Sequence, residues 1–285
     1  ISLIHNHHNI YLYESLPLLR LNNLNIFIID SLHIIEKKRF HEGFPRISLV
    51  WTNYIDIHHV ISTKLKNYLL DYGVESSKIK MGHLGKDLSI QKSFSIIDSL
   101  KSKKLNICFI GRMSGQKRPL IAMKLLMWTV NYLKKRNIQS SIHIVGDGEY
   151  FDSFKYHVIN KGLDKEFIFY GSSANAEKIL ELSDLSLLTS ENEGITLVAY
   201  EAYRNGCLMV STDVGAQSEL IPQNLLLSEN PIDAFATWKI TINKIITEPS
   251  FVEASINEFK TKAKAIYNLD TAERLFNKLY QGEIK

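Results

Sequence analysis

Glu193 and Glu201 stand eight positions apart in the stretch SENEGITLVAYEA (190–202), separated by seven mostly apolar residues. Carboxylates accept hydrogen bonds from hydroxyls, so two of them suit a ligand rich in sugar hydroxyls. Singly, Glu193 reads equally as a favourable charge at a helix N-terminus and Glu201 as a solvated flank residue. Arg112 and Lys117 share the stretch GRMSGQKRP, offering a planar fork and a point charge that can clamp a diphosphate. The other reading of that pair is a solvated loop end. Gly146-Asp147-Gly148 either allows close approach of backbone to a ligand or makes a tight turn. Tyr170, Gly171 and Ser172 offer main-chain groups to a nucleobase, and Gly194 lets a phosphate come close to free helix N–H groups.

These residues matter together because each group follows an apolar β-type run. From Asn106 the runs NICFIG, SIHIVG, FIFYG, LSLLTS and CLMVST alternate with helical patterns near 119–135, 150–161, 176–182 and 196–204. Such alternation, with strands apolar throughout, predicts an α/β fold with a parallel sheet covered on both faces, that is, a Rossmann-like domain. Ligands of such sheets bind beyond the carboxyl ends of the strands, so the cations, the glycine turn and the glutamates are expected to converge on one crevice. In the last helix Ile195, Val198, Ala199 and Ala202 form the expected apolar face. Diphosphate clamp and hydroxyl acceptors side by side describe a site for a nucleotide sugar.

A weaker series, NIFIID, IHHVIST, KLKNYLLDYG and KIKMGHLG, occupies residues 1–90 and predicts part of a second α/β domain. Its few strands lead to the expectation that the domain is incomplete and that the chain, which begins at Ile1, is a piece of a longer protein. Residues 91–104 are Ser- and Lys-rich and read as a linker, 105–265 as the donor domain, and 266–285 as a C-terminal helical segment.

The 285 residues are 45% hydrophobic with a net charge of +4, which supports globular cores and does not require nucleic acid. Cys108 and Cys207 lie in apolar runs, as buried thiols of a reducing compartment do. With no signal-peptide pattern and no run of eighteen apolar residues, the expected location is cytoplasmic, with peripheral membrane association compatible with the mild basicity. The cluster HNHH at 5–8 suggests metal by composition alone, and no metal is expected.

Read in order, GRMSGQKRP, IHIVGDGEYFDSF, FIFYGSS, LSDLSLLTSENEGITLVAYEA and MVSTDVGAQSELI resemble the C-terminal donor domain of retaining glycosyltransferases of family 4, which have the two-domain GT-B fold. The upstream segments IDSLHIIEKKRFHEGFPR and IHHVISTKLKNYLLDYGVESSKIKMGHLGKDL are similar to the end of the acceptor domain of such enzymes. The resemblance implies that Glu193 contacts the transferred sugar and Glu201 the ribose, while Arg112 and Lys117 bind the diphosphate. It further implies backbone contacts from Gly194, Ile195 and Thr196; Asp30 and His33 are expected just after a strand, where such enzymes often place an active-site histidine, and His33 is the choice. Sugar transfer from a nucleoside diphosphate to an acceptor hydroxyl of a glycan, lipid-linked or protein acceptor is then expected, in bacterial-type surface glycan synthesis, without cofactor. A non-catalytic binding domain and a nucleotide-sugar epimerase are the rival readings; product formation, and turnover without acceptor, distinguish them.

Overall fold

The structure, a computed structural model, describes residues 2–22, 25–36, 43, 45–83, 85–87, 89–172 and 175–281. Residues 37–42, 44, 84 and 88 of the upstream resemblance, and 282–285 of the C-terminal segment, lie outside the described residues. The chain forms two compact units: Ile1–Asp87 with Asn192–Ile195 and Ala265–Lys285, and Leu88–Glu191 with Thr196–Lys264.

The first unit begins β1 (Ser2–Asn6), α1 (Ile10–Leu21), β2 (Ile26–Leu32), α2 (Arg46–Val50), β3 (Ile57–Val60), α3 (Thr63–Asp71) and β4 (Ile79–Met81). Its four strands are parallel in the order β1-β2-β3-β4. Side-chain caps start two of the crossover helices: Asn9 accepts from the Tyr11 N–H and Ser62 from the Leu65 N–H. Asp30, expected just after a strand, is instead within β2 and wholly buried. It can sit there because Tyr13, Ser48 and Asn6 each donate a hydrogen bond to its carboxylate, at 2.8, 2.5 and 2.8 Å. Burial raises its pKa, against the lowering effect of those three donors.

The second unit runs α4 (Ile96–Lys101), β5 (Lys104–Ile110), α5 (Pro119–Lys134), β6 (Gln139–Val145), α6 (Phe151–Asn160), β7 (Phe167–Gly171), α7 (Ala176–Leu182), β8 (Leu185–Leu188), α8 (Leu197–Arg204), β9 (Leu208–Thr212), α9 (Gln217–Leu220), β10 (Leu226–Leu227), α10 (Pro231–Thr247) and most of α11 (Pro249–Ile266). Its six strands are all parallel, ordered β10-β9-β8-β5-β6-β7. β5, β8 and β9 are apolar along most of their length because helices cover both faces; Ile107, Cys108, Phe109, Leu185, Met209 and Val210 are fully buried.

Residues 91–104 are not a free linker. The N–H groups of Gln91 and Lys92 donate to the Arg204 carbonyl, Ile96 is buried, and the Ser99 hydroxyl donates to Asp184 at 2.6 Å. The serines that gave the segment its linker-like composition thus include one bonded to a residue 85 positions away. α8 also differs from expectation, starting at Leu197, so that Ile195 precedes the helix. Ala199, Tyr200, Ala202 and Tyr203 are its buried residues.

The segment expected as a separate C-terminal piece joins the first unit as α12 (Leu269–Gln281). Leu279 is buried with Ile29 and Ile57, and Leu275, Phe276 and Phe27 pack around them, an apolar stripe at helical spacing. The approach is so close at Gly82 that a β-carbon there would lie 2.0 Å from Leu275 Cδ2.

Candidate functional site

β5 lies in the middle of the second sheet; the chain adds β6 and β7 on one side, then reverses to place β8, β9 and β10 on the other. That reversal makes a topological switch point between β5 and β8, and beyond the carboxyl ends of such strands an open parallel sheet binds ligands. The loops that follow β5 and β8 carry Arg112 and Lys117, and Thr189 to Glu191.

Three of the loops are laced together by backbone. Gly111 N–H donates to Val145 at 3.0 Å, Met113 N–H to Asp147 at 2.8 Å, Tyr150 N–H back to Met113 at 3.1 Å, and Gly146 N–H to Gly171 at 2.6 Å. Gly146 has φ +127°, and a β-carbon on it would fall 1.9 Å from the Gly111 carbonyl oxygen. Gly148, at φ +141°, would place one 2.9 Å from the Met113 carbonyl oxygen. Both glycines are therefore required by the packing of one loop on another, the tight-turn reading of the motif. The Lys117 stem runs beside Gly111, its Cε 3.7 Å from where a β-carbon would stand. Arg112 is exposed on the same loop.

The β5 and β8 loops are joined by Arg118, which sequence reasoning did not select. Its φ is +47°, and it precedes Pro119 at the start of α5. The guanidinium donates from Nε to the Thr189 carbonyl at 2.8 Å, from Nη2 to Ser190 at 2.6 Å and from Nη1 to Glu229 at 2.9 Å. Thr189 returns its hydroxyl to the Lys117 carbonyl at 2.8 Å, and Glu191 N–H donates to Gln116 at 2.8 Å. Burial lowers the Arg118 pKa, while Glu191 and Glu229 hold it up. One arginine thus fixes the loop bearing Lys117 to the segment that leads toward Glu193. The available signal was an arginine directly before a helix-opening proline, in a loop already noted for its cations.

Tyr170, at the edge strand β7, is half-buried, and its hydroxyl meets His143 Nδ1 at 2.9 Å with the rings stacked. Burial raises the Tyr170 pKa and lowers that of His143. Gly171, at φ +64°, closes the strand. Thr196 is the extended N-cap residue of α8, and Glu201 lies half-buried on that helix.

Glu193, Gly194 and Ile195 belong with the first unit, where Glu193 is 9% exposed. Gly194 lies against His33: a β-carbon would stand 2.1 Å from the His33 carbonyl oxygen. His33 follows β2 as expected, and the HNHH histidines surround it. His7 Nδ1 lies 3.1 Å from His33 Nε2 with the rings stacked, and the His33 N–H donates to His8 Nε2 at 3.2 Å. Burial, then His7, lowers the His33 pKa, and burial brings His5 and His8 down to about 4. These rings contact one another and neighbouring hydroxyls; His5 meets Ser31 and Tyr280. Among the described residues no three metal-binding side chains are arranged to hold an ion. His58 and His59 are buried and hydrogen-bonded, to Ser48 and Thr52 and to Ser31 and the Gly82 carbonyl respectively, which gives them structural employment.

Two parallel α/β sheets and their loop geometry define the GT-B glycosyltransferase fold, and the chain superposes on a crystal structure of Anabaena Alr3699/HepE in complex with UDP. That match has a TM-score of 0.78 at 18% identity and covers 99% of this chain and 79% of the other. Residues 91–263 match the model of glycosyl transferases group 1, and the chain belongs to that family. It is 28% identical over 155 residues to the UDP-Gal:alpha-D-GlcNAc-diphosphoundecaprenol alpha-1,3-galactosyltransferase of Escherichia coli, covering 52% of this chain and 39% of the relative. Over 133 residues it is 32% identical to the O-antigen biosynthesis glycosyltransferase WbnH of Escherichia coli, covering 47% and 36%. The chain therefore spans less than half the length of these relatives.

Proposed function

We propose that the chain carries the donor-binding machinery of a retaining, metal-independent glycosyltransferase that takes a sugar from a uridine diphosphate sugar for bacterial surface glycan synthesis. The observation that carries this reading is the bolting of the β5 loop, with Arg112 and Lys117, to the β8 loop across the switch point of the second sheet. Family membership and the UDP named for the superposed Anabaena protein support the donor class. Carbohydrate acceptors of the surface-glycan type are supported by the printed names of the relatives, one of which acts on a diphosphoundecaprenol-linked sugar.

In the proposed reaction the bond from the sugar's anomeric carbon to the diphosphate breaks and a bond to the acceptor oxygen forms on the same face. The acceptor proton passes to the departing phosphate. Negative charge grows on the diphosphate as that bond breaks, so Arg112 and Lys117 stabilise the transition state more than the ground state. Glu201 is assigned to the ribose hydroxyls, Tyr170 and Gly171 to the base, and Thr196 to a phosphate oxygen. Gly146 and Gly148 shape the phosphate loop from behind. Glu193, Gly194 and Ile195 are assigned to the sugar and its phosphate, and His33 to the transferred sugar.

The test is thermal unfolding of the full chain with UDP and a panel of nucleoside diphosphate sugars, with EDTA present, followed by Glu201→Ala and Lys117→Ala. Ligand at a hundred times its dissociation constant stabilises by about 2.7 kcal/mol, a shift of several degrees. The expected result is stabilisation by uridine nucleotides that each substitution weakens about tenfold or more in affinity. Stabilisation by no nucleotide sugar, or stabilisation that survives both substitutions, refutes the assignment. Retention is read by the anomeric NMR signal of the product.

A further inference from the structure

In the first unit one row of hydrogen bonds runs from α12 across β1, β2 and β3 to the residue after β4. Tyr280 Oη lies 2.9 Å from His5 Nδ1, and His5 Nε2 2.7 Å from Ser31 Oγ. Ser31 Oγ is in turn 2.8 Å from His59 Nδ1, and His59 Nε2 2.9 Å from the Gly82 carbonyl oxygen. The last member fixes all the others. A carbonyl oxygen only accepts, so His59 carries its proton on Nε2, and its bare Nδ1 accepts from the Ser31 hydroxyl. Ser31, having given up its one proton, accepts from the Nε2–H of His5. That leaves His5 Nδ1 bare, and Tyr280 donates to it. Both rings are neutral at pH 7, burial having brought each down to about 4, so neither takes a second proton that would loosen this order. Ser31 and His59 are buried, and the Phe276 ring packs edge-on against His59 at 4.9 Å and tilted on His5 at 5.8 Å, which shields the inner bonds. Because the row ends on a carbonyl, which has no proton to pass on, it is a lock rather than a proton relay.

The locked ring touches the candidate site. His5 and His7 have ring centroids 4.1 Å apart, and His7 Nδ1 is 3.1 Å from Nε2 of His33, the side chain assigned above to the transferred sugar. We propose that Tyr280 is a positioning residue for the His7/His33 pair: by holding His5 in its Nε2–H form, it fixes the ring against which that pair packs. A hydroxyl in the last turn of α12 thereby governs imidazoles that follow β1 and β2. The row follows from geometry within the first unit, while its consequence for turnover rests on the sugar-transfer reading of His33.

The experiment is heteronuclear NMR of the full chain labelled in its histidine rings, which reads which nitrogen carries the proton, with signals assigned by single histidine-to-glutamine replacements. Wild type is expected to show His5 and His59 both protonated on Nε2. Tyr280→Phe deletes one hydroxyl from a side chain that is 49% exposed, so folding is expected to stay intact, which circular dichroism melting checks. In that variant the ring signals of His5, His7 and His33 are expected to shift, while His59, tied to Gly82, keeps its form. Release of UDP from the panel of uridine diphosphate sugars is expected to fall by roughly tenfold in kcat, with the affinity for UDP itself unchanged. His5 protonated on Nδ1 in wild type overturns the proposal. So do His7 and His33 signals that ignore Tyr280→Phe, and shifted signals with an unchanged kcat. If wild type turns over no donor of the panel, the sugar-transfer reading fails, and the ring signals alone decide whether Tyr280 positions the pair.

Discussion

Arg118→Ala removes three hydrogen bonds from a guanidinium to the carbonyls of Thr189, Ser190 and Glu229. Hydrogen bonds to charged groups contribute about 1.5–3 kcal/mol each when shielded. The bond to Glu229 is exposed and counts for little, while those to Thr189 and Ser190 are partly buried. With solvent replacing part of what is lost, the expected destabilisation is about 2–4 kcal/mol. Arg118→Gly separates the backbone from the side chain, because φ +47° costs an L-residue about 1 kcal/mol that glycine does not incur. The glycine variant should therefore be about 1 kcal/mol more stable than the alanine variant and still well below wild type. Urea unfolding gives both differences, and UDP titration shows whether the loosened loops still bind. Arg118→Lys should behave like alanine for binding, since a point charge cannot hold divergent carbonyls as a fork does. A midpoint within 0.5 kcal/mol of wild type for Arg118→Ala, at about the precision expected of a neutral surface change, with unchanged UDP affinity, refutes the role given to this arginine.

Gly146→Ala should destabilise by more than about 3 kcal/mol, because the added carbon meets a backbone oxygen at 1.9 Å and φ is +127°; urea unfolding of this variant at wild-type stability would contradict the packing described. Gly194→Ala should abolish sugar transfer while leaving the second unit's UDP binding measurable, since its clash is with the His33 carbonyl inside the first unit; unchanged transfer would remove Gly194 from the site. For pH, His5, His8, His58 and His59 all have folded pKa values lowered to about 4 from 6.5, first of all by burial. Their contribution is complete above pH 6.5 and is lost as pH falls toward 4, because the unfolded chain takes up protons the folded one resists. Asp30, whose pKa is raised, acts in the opposite sense, its contribution declining as pH rises from the ordinary carboxylate range. Four histidines against one carboxyl give a net loss on acidification, which urea midpoints between pH 7.5 and 4.5 will register; a flat profile in wild type, or an equally steep one in His59→Gln, refutes the assignment.

The strands of the second unit were legible because helices cover both faces of its sheet, leaving continuous apolar runs such as NICFI and CLMV bounded by glycine or polar turns. The loops bearing Arg112, Gly146 and Glu191 were legible for the same reason, since each begins where a strand ends, whereas Tyr170 and Gly171 lie within β7 and Glu201 on α8. What escaped depends on partners distant in the chain. Ser99 looks like linker composition until Asp184 is beside it, and Arg118 looks like one more loop cation until three carbonyls 71 or more positions away surround it. Asp30 looked like a strand-end residue because nothing local reveals the donors from α1, α2 and β1 that allow a carboxyl inside β2. The placement of Asn192–Ile195 with the first unit was equally invisible, since the apolar spacing of Ile195 fits the helix that in fact starts two residues later.

The return of α12 to the first sheet sets a schedule for biogenesis. Phe27, Ile29 and Ile57 leave the ribosome early, yet the helix bearing Leu275 and Leu279 is made only after the entire second unit. At ordinary synthesis rates roughly 190 residues separate β4 from that helix, an interval on the order of ten to forty seconds. During that wait a greasy sheet face stands open to the cytosol of whatever cell makes it, so nascent-chain chaperones and truncation near the C-terminus weigh more heavily on the first unit than on the second.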